Sequence, residues 1–243
     1  MTSSRLPGKV LKEISGRPML WHVLQRLKRC RRIDKIIIAT TVNKTDDAVE
    51  KLAKESGVYC FRGSENDVLG RYAGAAEKFG GDIIVRVTAD CPLLDPEIVD
   101  RAIGEYEKGG YGYVSNVHPP TFPDGLDVEV FSREALMAAN LEAQAGQDRE
   151  HVTPFIVKNK ERFRQLNVAN KKDLSSMRWT VDEPQDLEFV REIYRLLGKK
   201  GEAHDFSMED ILEILKKHPE LSGVNSGIGR NEKYAEQAKK EGW

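Results

Sequence analysis

Cysteine is scarce: the 243 residues contain three, Cys30, Cys60 and Cys91. They are odd in number and widely spaced, which excludes a disulfide framework and a zinc cluster and suits a reducing, cytoplasmic setting. No apolar run reaches membrane-spanning length, and no secretory signal pattern opens the chain. An excess of either charge is missing as well, with 38 basic against 39 acidic residues. That balance argues against a protein that coats nucleic acid, which would carry a basic surplus. There is no internal repeat and no low-complexity segment.

What is present is an apolar fraction of 40%, enough for one large core, and a regular alternation of short strands and helices. Met19, Leu20, Val23, Leu24 and Leu27 fall on one face of a helix over about 18–31. Ile36 to Thr41 reads as a strand buried on both faces. Thr45 is expected to cap a helix over Asp46 to Ser56, and Val58 to Phe61 to form the next strand. Asp67 caps a helix through Lys78. Ile83, Ile84, Val85 and Val87 make the strongest strand, ending at Asp90, and Asp95-Pro96 opens another helix. This alternation predicts an α/β fold: a three-layer, doubly wound, mostly parallel sheet. Ligands of such sheets lie beyond the carboxyl ends of the strands.

The texture changes near residue 111. Strands are expected at Tyr113 to Val117, Leu126 to Phe131 and Gln165 to Val168, with helices from Ser132 to about Leu141 and from Gln147 to Lys158. We read 111–170 as an inserted β/α segment beside the main sheet that shapes an acceptor pocket, within a single domain spanning 1–243. A last strand, Arg178 to Val181, ends at Asp182 and leads into a helix from Pro184. Ser207 caps a further helix. The tail over 218–243 is polar, with a final charged helix expected from Asn231.

Three features carry chemistry. The turn Ser4-Arg5-Leu6-Pro7-Gly8-Lys9 can offer backbone N–H groups and two cations to phosphate oxygens, or be a plain surface corner. Asp90 and Asp182 both sit at strand ends. Each could serve as a helix cap, but a pair of hard carboxylates there suits Mg²⁺ held together with substrate phosphates. An acceptor oxygen would then attack an α-phosphorus and pyrophosphate would leave, with catalysis by positioning and charge neutralisation.

Ser4 to Lys9 with Gly16-Arg17-Pro18-Met19-Leu20 resembles the opening of the acylneuraminate and 3-deoxy-manno-octulosonate cytidylyltransferases, a family with a nucleotide-diphospho-sugar transferase-like, Rossmann-type fold. Arg86-Val87-Thr88-Ala89-Asp90-Cys91-Pro92-Leu93 and Trp179 to Leu187 resemble its two metal-aspartate segments, and Gly63 to Tyr72 its segment near the nucleotide. Pro123 to Val130, Arg149 to Pro154 and the tail Asn225-Ser226 with Arg230-Asn231-Glu232 resemble the spore-coat polysaccharide branch. The resemblance implies a CTP-dependent transferase acting on an acidic or modified sugar. In it Ser4, Arg5 and Lys9 are on the phosphates, Asp90 and Asp182 on Mg²⁺, and Arg71 is near the nucleotide.

Asp124, Asp127, Glu129, Arg149, Glu150 and His151 become acceptor-side candidates. His151 reads equally as a structural hydrogen-bonder, Glu129 as a water-facing strand residue, and Arg149-Glu150 as a surface ion pair. A homodimer is implied too. Competing readings are a transferase for another nucleotide or for a sugar-1-phosphate, a non-catalytic nucleotide-binding partner, and a glycosyltransferase; the last is disfavoured by a turn suited to a triphosphate. Proteins of this family open with a buried strand and an Ala-Arg pair just ahead of the turn, whereas this sequence begins at Met1, inside the turn. Poor stability and weak catalysis are the expectation if that strand is missing.

Overall fold

The computed structural model describes residues 5–144, 146–198 and 204–230. Ser4 and the helix expected from Asn231 lie outside the described residues. The chain opens on a tight turn and a single 3-10 turn, Lys9–Leu11. A two-residue ribbon follows, β1 (Glu13–Ile14) with β2 (Arg17–Pro18), and leads into α1 (Met19–Leu27). Next come β3 (Ile37–Thr41), α2 (Asp47–Glu55), β4 (Tyr59–Gly63), α3 (Val68–Phe79), β5 (Ile83–Arg86) and α4 (Pro96–Glu107). The middle of the chain supplies β6 (Tyr113–Ser115), β7 (Glu129–Ser132), α5 (Arg133–Glu142), α6 (Gly146–His151), α7 (Pro154–Lys158) and β8 (Gln165–Asn167). Two long helices close the described part, α8 (Pro184–Gly198) and α9 (Met208–Lys217).

Side-chain caps set four of the helix starts. Asp67 accepts from the N–H of Gly70, Asp95 from Glu97, and Ser132 from Ala135. Ser207 and Asp210 form a reciprocal capping box, each side chain satisfying a backbone donor that the first turn would leave orphaned. Thr45 does not cap α2. The adjacent Asp46 carboxylate instead turns back to accept from Thr40 and Thr41 at 2.6–3.0 Å, so the helix enters through a 3-10 turn. The helix expected over Gln147 to Lys158 is two short helices, α6 and α7, broken where Val152 takes φ 76° ahead of Pro154.

The architecture is α/β, with helices on both sides of twisted strands. Two expectations change. Residues 111–170 do not lie beside the main sheet but build much of it: β5, β7, β6 and β8 form one sheet in that order. Within it β7 runs antiparallel to β5 and β6, while β6 and β8 are parallel. Arg178 to Val181 is extended but forms no ladder. Its partner is the irregular segment around Asp124, through Asp124 N to Met177 O at 2.9 Å and Trp179 N to Asp124 O at 2.6 Å. Gly125, at φ 106°, permits this approach, since a Cβ there would lie 2.5 Å from the Thr180 nitrogen.

The parallel pair β3–β4 is a separate sheet. Between β3 and β5 lies a cavity of about 430 Å³. Its walls include Ile36, Ile37 and Ala39 from one side and Ile83, Ile84 and Val85 from the other, with α1 and α4 contributing Leu27 and Ile103, and α3 contributing Tyr72, Ala75 and Ala76. Consecutive strand residues and both helix layers line one space, so the slot runs in the plane of the sheet. Ile83, on the most apolar strand of the chain, is 38% exposed as a result. A slot of this kind accepts one more strand, which would bury both edges left unpaired among the described residues. A strand running with β5 would emerge beside the opening turn, because Lys9 meets Asp90 just beyond the carboxyl end of β5.

Supplying one more apolar β-strand to this slot, as an added peptide, is therefore expected to raise the melting temperature by roughly 5 °C or more, given about 2–4 °C per kcal/mol for a chain of this size, and to raise turnover. Calorimetric melts and a pyrophosphate-release assay check this. No change in either would contradict the reading of the slot.

Candidate active site

The opening turn follows from its residues. Leu6 O accepts from Lys9 N at 3.1 Å across Pro7-Gly8, and Gly8 sits at φ 67°, ψ 19°. Proline at the second position and glycine at the third are what a type II turn requires, since only glycine takes that positive φ without steric cost. Leu6 is buried and anchors the turn, leaving Arg5 46% exposed at its side chain.

Lys9 then reaches across the site. Its Nζ lies 2.7 Å from Asp90 Oδ2 and 2.7 Å from Asp182 Oδ1. Arg5 adds contacts of 3.2 Å to Asp182 and to Glu183. The two aspartates are neighbours because their segments are tied: Val181 N donates to Asp90 O at 2.9 Å. Burial alone would lower the Lys9 pKa, but the two carboxylates outweigh it and the pKa is raised. Burial likewise works to raise the Asp182 carboxyl, yet Lys9, Arg178 and Arg5 hold it below its usual range. Neither aspartate caps a helix through its side chain. Asp186 takes that task for α8, its Oδ2 accepting from the N–H groups of Asp182 and Glu183 at 2.9 Å.

Beneath this cluster sits Arg178, which sequence reasoning treated only as a strand residue. Its guanidinium grips Asp186 bidentately at 2.9 and 3.0 Å, Asp182 Oδ2 at 2.9 Å and Asp124 Oδ2 at 3.1 Å. Asn225 from the tail closes the group, donating to Arg178 O and to Asp186 Oδ1 at 3.0 and 2.9 Å. Arg178 and Asp186 are both buried. A charge-assisted fork of this sort fixes the direction of Asp182. The local signal was the spacing Arg178, Asp182, Asp186, which puts three charges at four-residue intervals across a strand end and a helix start.

A cavity of about 710 Å³ opens from the aspartates. Arg5, Asp90, Asp124, Asp127, Glu129, His151 and Asp182 all line it, so most of the candidates converge. Asp124 is pushed up by burial although Arg230 and Arg178 pull it down. Burial pushes Asp127 up to about 7 against the pull of Arg230, to which it is hydrogen-bonded. Glu129 does not face water: it is buried, pairs with Arg86, and accepts from Tyr113 and Thr153 at 2.6 Å each. Arg86, His118, Thr153 and Arg230 are cavity residues that the sequence reading had not chosen.

Three candidates lie apart from this cavity. Arg71 donates to the carbonyls of Ser64 and Glu65 and braces the loop between β4 and α3. Arg149 pairs with Asp67 at 2.9 Å and donates to Asn140 O at 2.7 Å, tying α6 to the start of α3. Glu150 is exposed beside it. As donors for a metal, Asp90 and Asp182 fit the requirement: their oxygens meet one cation, Lys9, at equal distance, and Mg²⁺ commonly takes one or two carboxylates plus substrate phosphates. Among the described residues, no third His, Cys, Asp or Glu joins them in a metal-holding cluster.

Asp186→Asn is expected to cost about 3–5 kcal/mol at pH 7, because it leaves Arg178 short of its main counter-charge. Burial raises the Asp186 pKa, but Arg178, two backbone N–H groups and Asn225 lower it further, so the folded value lies below the unfolded one. Its contribution is therefore complete above about pH 4 and is lost as pH falls through the folded value. Urea unfolding across pH 2–7 checks this; a variant as stable as wild type at pH 7 would contradict it.

Comparison with known proteins agrees with this geometry. A family model described as cytidylyltransferase matches residues 1–222. The chain is 31% identical over 231 residues to the spore coat polysaccharide biosynthesis protein SpsF of Bacillus subtilis, covering 91% of this chain and 93% of that one. It is 36% identical over 236 residues to an uncharacterized protein of Methanocaldococcus jannaschii, covering 96% and 94%. The solved structure of a cytidylyltransferase from Leptospira borgpetersenii serovar Hardjo-bovis superposes with a TM-score of 0.84 at 34% identity, covering 91% of this chain and 92% of that one. With residues 1–222 matched by the family model and relatives above 30% identity covered over nine-tenths of their length, the chain belongs to the cytidylyltransferase family of nucleotidyltransferases.

Proposed function

We propose that this protein is a Mg²⁺-dependent cytidylyltransferase that transfers CMP from CTP to an acidic or otherwise modified sugar, for a surface or spore-coat polysaccharide. The observation that carries the reading is the Lys9 ammonium set 2.7 Å from both Asp90 and Asp182, beside Arg5 and at one end of a polar cavity of about 710 Å³. Two carboxylates that close need a cation between them. In the free protein Lys9 supplies it.

When CTP arrives with its metal, Asp90 and Asp182 would hold the Mg²⁺, which supplies charge neutralisation and polarises the attacked phosphorus. Lys9 and Arg5 are then released to the β- and γ-phosphates, both being flexible cations within reach of the same carboxylates. Arg178 keeps Asp182 in place while its partners change. The acceptor hydroxyl, bound in the cavity, forms a bond to the α-phosphorus and gives up its proton to solvent water. The bond from the α-phosphorus to the bridging oxygen breaks, and pyrophosphate leaves with that oxygen. Most of the rate enhancement comes from alignment and from cations placed where charge develops. We also propose a homodimer. Leu141, 80% exposed on α5, is a large apolar side chain that this segment leaves facing water.

Asp90→Asn and Asp182→Asn are each expected to cut turnover by about two orders of magnitude or more, on the scale of losing one electrostatic group in an active site, with the melting temperature close to wild type for Asp90→Asn and lower for Asp182→Asn, where Lys9 and Arg178 lose a charged partner. The check is pyrophosphate release with CTP, UTP, GTP and ATP against a panel of sugar acids. Wild-type rates in either variant would remove its metal role, and a clear preference for UTP or GTP would end the cytidine assignment. CTP binding without turnover on any acceptor would leave a non-catalytic nucleotide binder.

A further inference from the structure

The large cavity is also lined by one ion pair that the phosphate chemistry does not use. Arg86 closes β5 and Glu129 opens β7, and the two lie directly opposite each other in the antiparallel ladder. The Arg86 guanidinium donates to Glu129 Oε2 through one terminal nitrogen. The other carboxylate oxygen, Oε1, is held by Tyr113 and Thr153 hydroxyls at 2.6 Å each. Glu129 is thus clamped from two further elements, β6 and the turn before α7.

Arg86 is held less completely. A guanidinium has five N–H donors, and among the described residues its buried Nε meets no acceptor. Its side chain is 19% exposed and lines the cavity with Glu129, His118, His151 and Thr153. Burial lowers the pKa of both histidines, so near neutral pH they face the cavity uncharged, as hydrogen-bonding rings. A pair serving only to knit β5 to β7 would have no need to reach the cavity, and an apolar pair of similar size would knit them as well or better. What the ion pair adds is a fixed guanidinium, partly exposed on the cavity wall and with one terminal nitrogen engaged among the described residues, next to a carboxylate and a hydroxyl where a bound sugar must lie.

We infer that Arg86, aimed by Glu129, is the residue that recognises the acceptor sugar at the end remote from its attacking hydroxyl, donating to oxygens of a polyhydroxylated chain. This rests on the cytidylyltransferase reading of the same cavity, because the attacking end must lie at Asp90 and Asp182. Arg86 stands four residues before Asp90, at most about 14 Å of chain away. One sugar can therefore span from the aspartates toward it. The structure assigns Arg86 to selectivity, not to the reacting atoms.

The test uses calorimetric binding to the protein loaded with Mg²⁺ and a CTP analogue whose α–β bridge is methylene, so that no pyrophosphate can leave, with 3-deoxy-manno-octulosonate and its shorter six-carbon counterpart, 2-keto-3-deoxygluconate, as probes. Wild type should bind the longer sugar more tightly. Arg86→Gln should weaken the longer sugar by about tenfold or more, the scale of a hydrogen bond to a charged group, and leave the shorter sugar and CTP within about twofold. Arg86→Lys keeps the charge but loses the fork; it should shift the longer sugar in the same direction with a melting temperature near wild type, which guards against a merely unfolded Gln variant. Equal losses for both sugars, no loss for either, or no binding of either probe would overturn the inference. Failure of CTP itself to bind would overturn the underlying functional reading. CTP binding with sugar selectivity untouched by Arg86→Gln would overturn this inference alone.

Discussion

Two carboxylates held side by side at the edge of a sheet repel each other, and the site is arranged around the answer to that repulsion. Asp90 and Asp182 are brought together by the backbone bond from Val181 to Asp90, and Lys9 sits between them. The opening turn is therefore more than a surface corner: it is shaped by Pro7-Gly8 and pinned by Leu6 so that one lysine can reach two aspartates. On the proposed function the same demand for a cation would suit the site to Mg²⁺ and a triphosphate, with Asp90 and Asp182 holding the ion and Lys9 free to meet the phosphates. Arg178 underlies the arrangement, with Asp186 as its main counter-charge, so that Asp182 keeps its direction through such an exchange.

The sheet bears on the same cluster from the other side. β5 carries Asp90 beyond its carboxyl end, and its far edge borders a slot instead of a neighbour. Its inner edge pairs with β7, which brings Glu129 opposite Arg86 and forms the cavity wall. One strand thus connects the phosphate end, the acceptor wall and the incompletely paired part of the fold. Whatever steadies β5 should steady both halves of the site.

Much of this was legible because it is local. The caps at Asp67, Asp95, Ser132 and Ser207 depend on residues two or three positions away, and all four form. Thr45 misled because its neighbour Asp46 found better partners in Thr40 and Thr41, outside the helix. Asp90 and Asp182 stood out as carboxylates at strand ends. Arg178 did not, because only its four-residue spacing to Asp182 and Asp186 is local, while Asp124 and Asn225 reach it from distant parts of the chain. Arg149 was open between a surface pair and an acceptor contact, and its partner proved to be Asp67, eighty-two residues away. The segment 178–181 has the apolar character of a strand, but its partner is the loop through Gly125, so it stays extended without joining a ladder. Glu129 alternates with valines and could have faced water; a cross-strand arginine and two hydroxyls decide otherwise.

The central claim is that Lys9 holds the place of a metal between Asp90 and Asp182 until a nucleotide arrives. A crystal structure of the protein soaked with CTP and Mg²⁺ tests it most directly. The account predicts density for the ion between the two aspartates, the triphosphate beside Arg5, and Lys9 Nζ moved from the carboxylates onto phosphate oxygens, with the Arg178–Asp186 pair unchanged. Lys9 still bridging both aspartates, with CTP bound elsewhere, would contradict it.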